Sequence, residues 1–382
     1  MKPWVVISAW AACALLAVGC GSTAAERQRA LRIEDDTRYA EAERAFSEHR
    51  DADAARQFTE LSHEGDVEFR ALAVYRLAQL RERAKDVEGA LTTYQAAEAL
   101  GAIERSPFAA WRAAKLLAET PGRRAEGRAA LQAVVEKYPD ASAADRAAKY
   151  FALRRTPDEA GDLKLDRDAL VWLLAAGERY RERSVGDNLL FWAAYVQVFH
   201  LGDFGGARTT LRTLVGRYYV SPLLDDSLWL LAGIERRQGR DDAALATYEA
   251  LLHVRVDQNY VLMGYRSRRL DDAAAAIGQM QYHVRQDMPA AAAAWQRLLD
   301  EFPTSVFRDD AWWGLTCAES RQGHAEAART AAKHLLDERA DSRFARQGKA
   351  FLDSDNPESV CPAPDPVAAR TPLSNPWAKG EM

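Results

Sequence analysis

Apolar residues recur along this chain at the three- and four-residue spacing of one helix face, and that pattern itself repeats. The stretch from Asp287 to Arg339 writes it nearly twice. Ala291 is followed by Trp295, Leu298 and Phe302 at offsets of four, seven and eleven. Pro303 then ends the helix, because proline has no N–H to donate. Thirty-seven residues on, Ala328, Ala332, Leu335 and Arg339 fall at the same offsets. Between the two copies lies another helical run, Phe307 to Arg321, closed by Gly323.

The small residue that starts each copy serves as an anchor and can be walked backwards. Ala244 leads to Tyr248 and Leu251, Ala207 to Leu211 and Leu214, Ala169 to Leu173 and Ala176. Gly127 replaces alanine and leads to Leu131, Val134, Tyr138 and Pro139, Ala90 leads to Tyr94 and Ala97, and Ala54 to Phe58 and Leu61. The intervals between anchors are 36, 37, 42, 38, 37, 47 and 37 residues. Glycine stands five residues before four anchors, at Gly122, Gly202, Gly239 and Gly323. It suits a tight turn between two helices because it enters left-handed backbone space freely. The anchor is small because the two helices of a pair are expected to cross closely there. The preceding helix has its own apolar pattern, as in Trp312 with Leu315, Leu228 with Leu231 and Ala232, and Val74 with Leu77 and Ala78.

A helix pair recurring at a fixed period marks a stacked repeat. The pattern resembles the tetratricopeptide repeat over about residues 37–340, best in the units anchored at Ala244, Ala291 and Ala328. The period exceeds that family's usual value of about 34 residues. The resemblance implies an all-α, TPR-like α-solenoid, a right-handed superhelix of about eight helix–turn–helix repeats. With a short capping helix, Ser342 to Leu352, that array is expected to fill residues 37–352. The 47-residue interval contains HVRVDQNYVLMGYRSRRLDD, an insertion that lengthens a helix or turn or adds contact surface. Residues 353–382 are rich in proline without helical period, and are read as a disordered tail.

The N-terminus is a separate element. Met1-Lys2-Pro3 gives a positive start, and Trp4 to Val18 is an uncharged run too short to span a bilayer as a lasting helix. The ending LLAVGCGS resembles a bacterial lipoprotein signal, with Gly19 before a Cys20 that becomes the acylated N-terminus. Ala17 departs from that pattern, because leucine is usual three positions before the cysteine. Residues 1–19 are therefore expected to be a signal peptide and 20–36 a lipidated tether. The absence of Asp after Cys20 implies sorting to the outer membrane, facing the periplasm. Cys317 and Cys361 are then the remaining thiols. Either they pair, tying the tail to the last repeat, or Cys317 is a small buried hydrophobe and Cys361 is free, the reading favoured here.

The formal charge of -5 has no long single-sign block behind it, so nothing points to nucleic acid. The phosphate-loop, nucleophile-elbow and zinc-protease patterns are absent, His63-Glu64 lacks a second histidine, and no metal or cofactor is expected. Glu319-Ser320 and Gly278-Gln279-Met280-Gln281 resemble pieces of a lytic transglycosylase signature, but in reversed order and inside repeat helices. A peptidoglycan-associated or degenerate lytic protein is thus the second reading, behind a non-catalytic scaffold. In tetratricopeptide proteins the first helices of the pairs line a groove for a partner's extended segment. Counting fifteen residues back from the anchors gives Tyr75, Arg112, Arg154, Trp192, Trp229, Ala276 and Trp313; counting seven back gives Arg83, His200, Arg237 and Arg321 alongside three uncharged or acidic places. These are the expected groove residues, with aromatic faces for apolar side chains and Arg for carboxylates. The alternative is that the Trp residues fill the seams between pairs and the Arg residues are solvated.

Overall fold

The computed structural model describes residues 37–63, 65–153, 162–257, 267, 269–370 and 375. Among these residues the chain forms seventeen α-helices and no strand. The first-helix/second-helix pairs begin with α1 (Thr37–Ser47) and α2 (Asp51–Leu61), then α3 (Val67–Arg83) and α4 (Val87–Ala99). They continue with α5 (Arg105–Glu119) and α6 (Arg124–Lys137), then α7 (Ser142–Leu153) and α8 (Leu163–Arg179). Next come α9 (Gly186–Tyr195) and α10 (Phe204–Arg217), and α11 (Leu224–Arg237) and α12 (Asp241–Asp257). The last pairs are α13 (Leu270–Met280) with α14 (Met288–Glu301) and α15 (Arg308–Arg321) with α16 (Ala325–Glu338), followed by α17 (Ala345–Asp353). They fall in two compact units. The first holds the described residues up to 153 together with 176–189; the second holds 162–175 and the described residues from 190 onward.

In each unit the anchors are the tightest points. Ala54, Ala90, Ala207, Ala244, Ala291 and Ala328 are 0% exposed. The residues four and seven positions on, from Phe58 and Leu61 to Ala332 and Leu335, are buried with them. Gly127 shows why the anchor must be small. A Cβ placed there would lie 2.2 Å from the backbone nitrogen of Ala118 on α5, where nothing flexible can give way. One core of the first unit gathers Tyr39, Phe58 and Phe69, with rings edge to face; another gathers Tyr75, Tyr94 and Ala109. In the second unit a continuous core runs from Leu224 to Cys361. Within it Trp295 slots between Gly278 and Gly314, where an added Cβ would come within 2.6 and 2.4 Å of its ring.

Among the described residues, seven of the turns before second helices share one conformation, whatever residue occupies it. Gly122, Gly202, Gly239 and Gly323 have positive φ, and so do His49, Lys85 and Gln286, each five residues before its anchor. Left-handed backbone disfavours a side chain, so these three turns hold mild strain that glycine would relieve. In several units the next residue is an aspartate that caps the second helix: Asp86, Asp203 and Asp287 accept from the N–H of Gly89, Gly206 and Ala290 at 2.8–3.0 Å.

A side-chain ladder in the second unit fixes one pair on the next. Ser305 Oγ donates to Asp271 at 2.8 Å, Ser342 Oγ donates to Asp309 at 2.7 Å, and Ser267 donates to Asp225. Each serine also accepts an N–H two residues ahead, from Arg269, Phe307 and Phe344. Asp225 and Asp309 are buried and Asp271 half-buried, so each contact favours neighbouring pairs that sit in register.

Two expectations change here. Residues 353–370 are ordered and packed, not a disordered tail: a 3-10 turn, Pro357–Val360, lies on α15 and α17, and Cys361 and Ala369 are buried. The reason is covalent, because Cys317 and Cys361 are joined, so the bonded alternative holds and Cys361 is not free. The first helices α9 and α13 also end in π-turns, Val196–His200 and Gln281–Arg285. Each π-turn adds a residue and shifts the register of simple offset counting by one. The insertion in the 47-residue interval lies mostly outside the described residues, as do Cys20 and its tether.

Lys85→Gly is expected to raise stability by roughly 0.5–1 kcal/mol, and Gly127→Ala to lower it by about 1–3 kcal/mol, both read from urea denaturation. Burial, reinforced by Asp187, raises the Asp145 carboxyl to about 7. The folded state therefore binds this proton more tightly than the unfolded state, and the contribution is lost as pH rises from about 4 to about 7. Asp145→Asn should raise the melting temperature at pH 8 and leave it nearly unchanged at pH 4.

Candidate functional site

The sequence-expected groove residues do not form one open strip. Trp192 is 1% exposed and packs against Phe191 and Tyr195, while Trp313 is 6% exposed between Phe344 and Phe351. Tyr75 is buried against Tyr94. Trp313 fills a seam against α17, Tyr75 packs within its own pair, and Trp192 is buried with its ring against neighbours on its own helix, so none of the three is open to a partner. Trp229 is half-buried beside Tyr248, with the Arg269 guanidinium over its ring. Arg112 bonds Glu82, Arg83 pairs with Asp51 and lies over Phe46, and Arg237 lies over Phe204. His200 bonds Asp166 at 3.1 Å with both side chains buried. Arg154 lies outside the described residues. Among the described groove residues, Arg321 faces an extended segment of chain, and that segment is the protein's own.

After α17 the chain turns back across the ends of successive first helices in the second unit. Cys361 joins Cys317 on α15 with Cα atoms 5.4 Å apart, within the normal range for a disulfide. Two donors then converge on the carbonyl of Pro362: Tyr282 Oη at 2.8 Å and Arg321 Nη2 at 3.2 Å. Arg321 Nε donates to Tyr282 Oη at 2.8 Å, and its Nη1 lies 3.3 Å from Glu358. One residue further along the π-turn, His283 Nδ1 accepts the N–H of Asp365 at 3.1 Å. Arg370 then reaches Asp241 at 3.0 Å, beside Gly239, and the Asn375 amide donates to Tyr195 Oη at 3.1 Å. The segment thus runs from α15 past the ends of α13 and α11 to α9, opposite to the chain order of those helices.

The chemistry of the segment fits this reception. After the 3-10 turn, Pro362, Pro364 and Pro366 favour an extended chain and lack N–H groups, so this stretch presents mainly carbonyls. The track answers with donors from a phenol and a guanidinium. The non-covalent contacts are few. A part-exposed ion pair such as Arg370–Asp241 contributes about 0–1 kcal/mol, whereas closing a loop with a sequence separation of 44 contributes about 4 kcal/mol in the chain-entropy account. The covalent bond is the largest single contribution to seating the segment.

Offset counting missed Tyr282, His283, Asp241 and Tyr195. Seven residues before Ala291 it lands on Val284, because the π-turn has displaced the row. The available signal was Cys361 itself, set in a proline-rich stretch with a matching thiol one repeat back. The fragments resembling a lytic signature are used otherwise: Glu319 bonds His324 at 2.7 Å in the α15–α16 turn, and Gly278 receives the Trp295 ring. Among the described residues no group of three His, Cys, Asp or Glu side chains is placed to hold a metal, and no helix is long and apolar enough to cross a membrane.

The α5–α6 pair carries the clearest likeness to known proteins. Residues 108–141 match the tetratricopeptide repeat family. That match covers the unit anchored at Gly127, and the other pairs repeat its anchors and turns, so the fold is an all-α solenoid of tetratricopeptide type. Two solved structures are similar to the chain at low identity. A Rap protein complexed with competence and sporulation factor is 13% identical, with a TM-score of 0.35, covering 74% of this chain and 79% of its own. The TPR domain of P58(IPK) is 15% identical, with a TM-score of 0.24, covering 82% of this chain and 86% of its own. No curated protein matches the chain.

Burial depresses the imidazole pKa of His283, with Asp365 opposing. Folding therefore favours the neutral ring whose Nδ1 accepts from Asp365, and this contribution is complete above the ordinary imidazole range and lost as pH falls through it. Hydrogen exchange of the Asp365 amide, corrected for its intrinsic pH dependence, should quicken on acidification, and His283→Phe should remove that pH dependence.

Proposed function

We propose that this chain is a non-catalytic scaffold of the cell envelope that holds an extended segment of a partner protein. Stacked helix pairs of tetratricopeptide type are a protein-interaction architecture. The observation that carries the reading is the seated C-terminal segment: donors from two successive first helices, Tyr282 and Arg321, converge on one backbone carbonyl, and His283 accepts one backbone N–H. A partner segment presents the same backbone groups.

In this proposal the scaffold is tethered through lipid at Cys20 to the outer membrane and faces the periplasm. The charged start, the short apolar run and the small residue before Cys20 support the tether. The Cys317–Cys361 bond supports an oxidising compartment. A fatty chain at Cys20 adds the membrane attachment that the described helices do not supply.

Metabolic labelling with an alkyne fatty acid should tag the mature protein, and Cys20→Ser should lose the tag and shift the protein from the membrane to the soluble fraction. An untagged wild type retires the lipid anchor. Photo-crosslinkers at exposed positions beside the track, such as Gln286 and Arg240, should trap a discrete partner in cells. Only self-crosslinks from both positions would count against the scaffold reading.

A further inference from the structure

We propose that residues 357–370 are a resident competitor: they occupy the surface on which a proline-containing partner segment docks, and the Cys317–Cys361 bond decides which of the two is seated. This rests on the scaffold reading and specifies its partner's chemistry and its control.

The contacts that seat the segment are largely indifferent to its identity. Tyr282 and Arg321 donate to a backbone carbonyl, and His283 accepts from a backbone N–H. Two charges add selectivity: Glu358 beside Arg321, four residues before that carbonyl, and Arg370 on Asp241, eight residues after it. The matching partner segment is extended, supplies its own carbonyl at that point, and carries a carboxylate upstream and a cation downstream.

The resident segment is poorly anchored apart from its bond. Val367 is 81% exposed, and between Cys361 and Ala369 no other described side chain is buried. Such a segment stays seated when tethered and yields to a better-anchored rival once the tether is cut. Cutting requires a dithiol reductant. Its thiolate attacks one sulfur to form a mixed disulfide, and its second thiol resolves that intermediate. Two electrons and two protons pass to the protein, leaving Cys317 and Cys361 as thiols and the reductant as a disulfide. Both cysteines are buried, so the bond resists reduction while the segment is down. Control therefore acts before the bond closes, or when a reductant catches the lifted segment.

The test uses the full chain and a labelled peptide of residues 355–371 with Cys361→Ala, followed by fluorescence anisotropy. One protein is oxidised wild type. The other carries Glu358→Ala, Cys361→Ser and Arg370→Ala, which weaken the resident segment and leave the track intact. The peptide should bind the second at least about tenfold more tightly, and adding Arg321→Ala should abolish the gain. Equal affinity for both proteins, with unchanged circular dichroism, would make the segment a permanent structural clasp and overturn the proposal. Should the triple variant misfold, hydrogen exchange of wild type with and without dithiothreitol decides instead. Release predicts at least about tenfold faster exchange at the amides of residues 358–370 while α13 and α15 stay protected; unchanged exchange rejects it. A peptide that does not bind sinks the competitor but leaves partner crosslinking in cells intact. A peptide that binds while no partner crosslinks sinks the scaffold reading.

Discussion

The helix crossing at each anchor leaves room for a methyl group or less, and the rest of the structure depends on that constraint. Because Ala244, Ala291 and Ala328 are fully buried, the second helix can sit close enough to its first helix for large neighbours to close over both. Where the approach is closest, at Gly127, even the methyl group is missing, and the α5 backbone occupies its place. A helix pair of this size buries too little to be stable alone, so its remaining apolar face needs the next pair. Close crossing and repetition are thus one requirement expressed twice.

Three devices make that repetition exact enough to propagate. The left-handed residue five positions before the anchor sets the angle of the turn, and it is retained even where the chain supplies Lys85 or Gln286. Asp86, Asp203 and Asp287 then satisfy the freed N–H groups at the start of the second helix. In the second unit the serine–aspartate contacts tie the start of one first helix to the turn before the next. A pair displaced along its neighbour would strand a buried carboxylate, which is more unfavourable than the small loss of apolar contact. The ladder acts chiefly on register.

The fold was legible in the sequence because its determining residues are local and periodic. Anchor spacing located the eight pairs, and the glycines located four of the turns. The same logic could not find the turns at His49, Lys85 and Gln286, where conformation is imposed by the surrounding helices against residue preference. It also misjudged the aromatic row. Trp192 and Trp313 have the spacing of a groove, but offset counting cannot tell the side of a helix that faces a neighbour from the adjacent side that faces outward. Two π-turns then displaced the count where it mattered most. The Ser-x3-Asp recurrence at Ser221, Ser267 and Ser305 was readable as a repeat, yet its meaning lies in contacts between residues 33–42 apart in sequence.

The C-terminal segment was hardest to read because its order does not come from its composition. Proline-rich, exposed chain buries too little apolar surface to offset its own ordering, and composition alone correctly predicts disorder for such a stretch. One covalent bond reverses the balance by bringing the segment to the track at high local concentration, where a few polar contacts suffice to fix its path. The same arithmetic makes its position conditional. Contacts that hold a chain only because it is tethered contribute little selectivity against an equivalent chain, and the tether that orders this segment is also what excludes a rival from Tyr282 and Arg321.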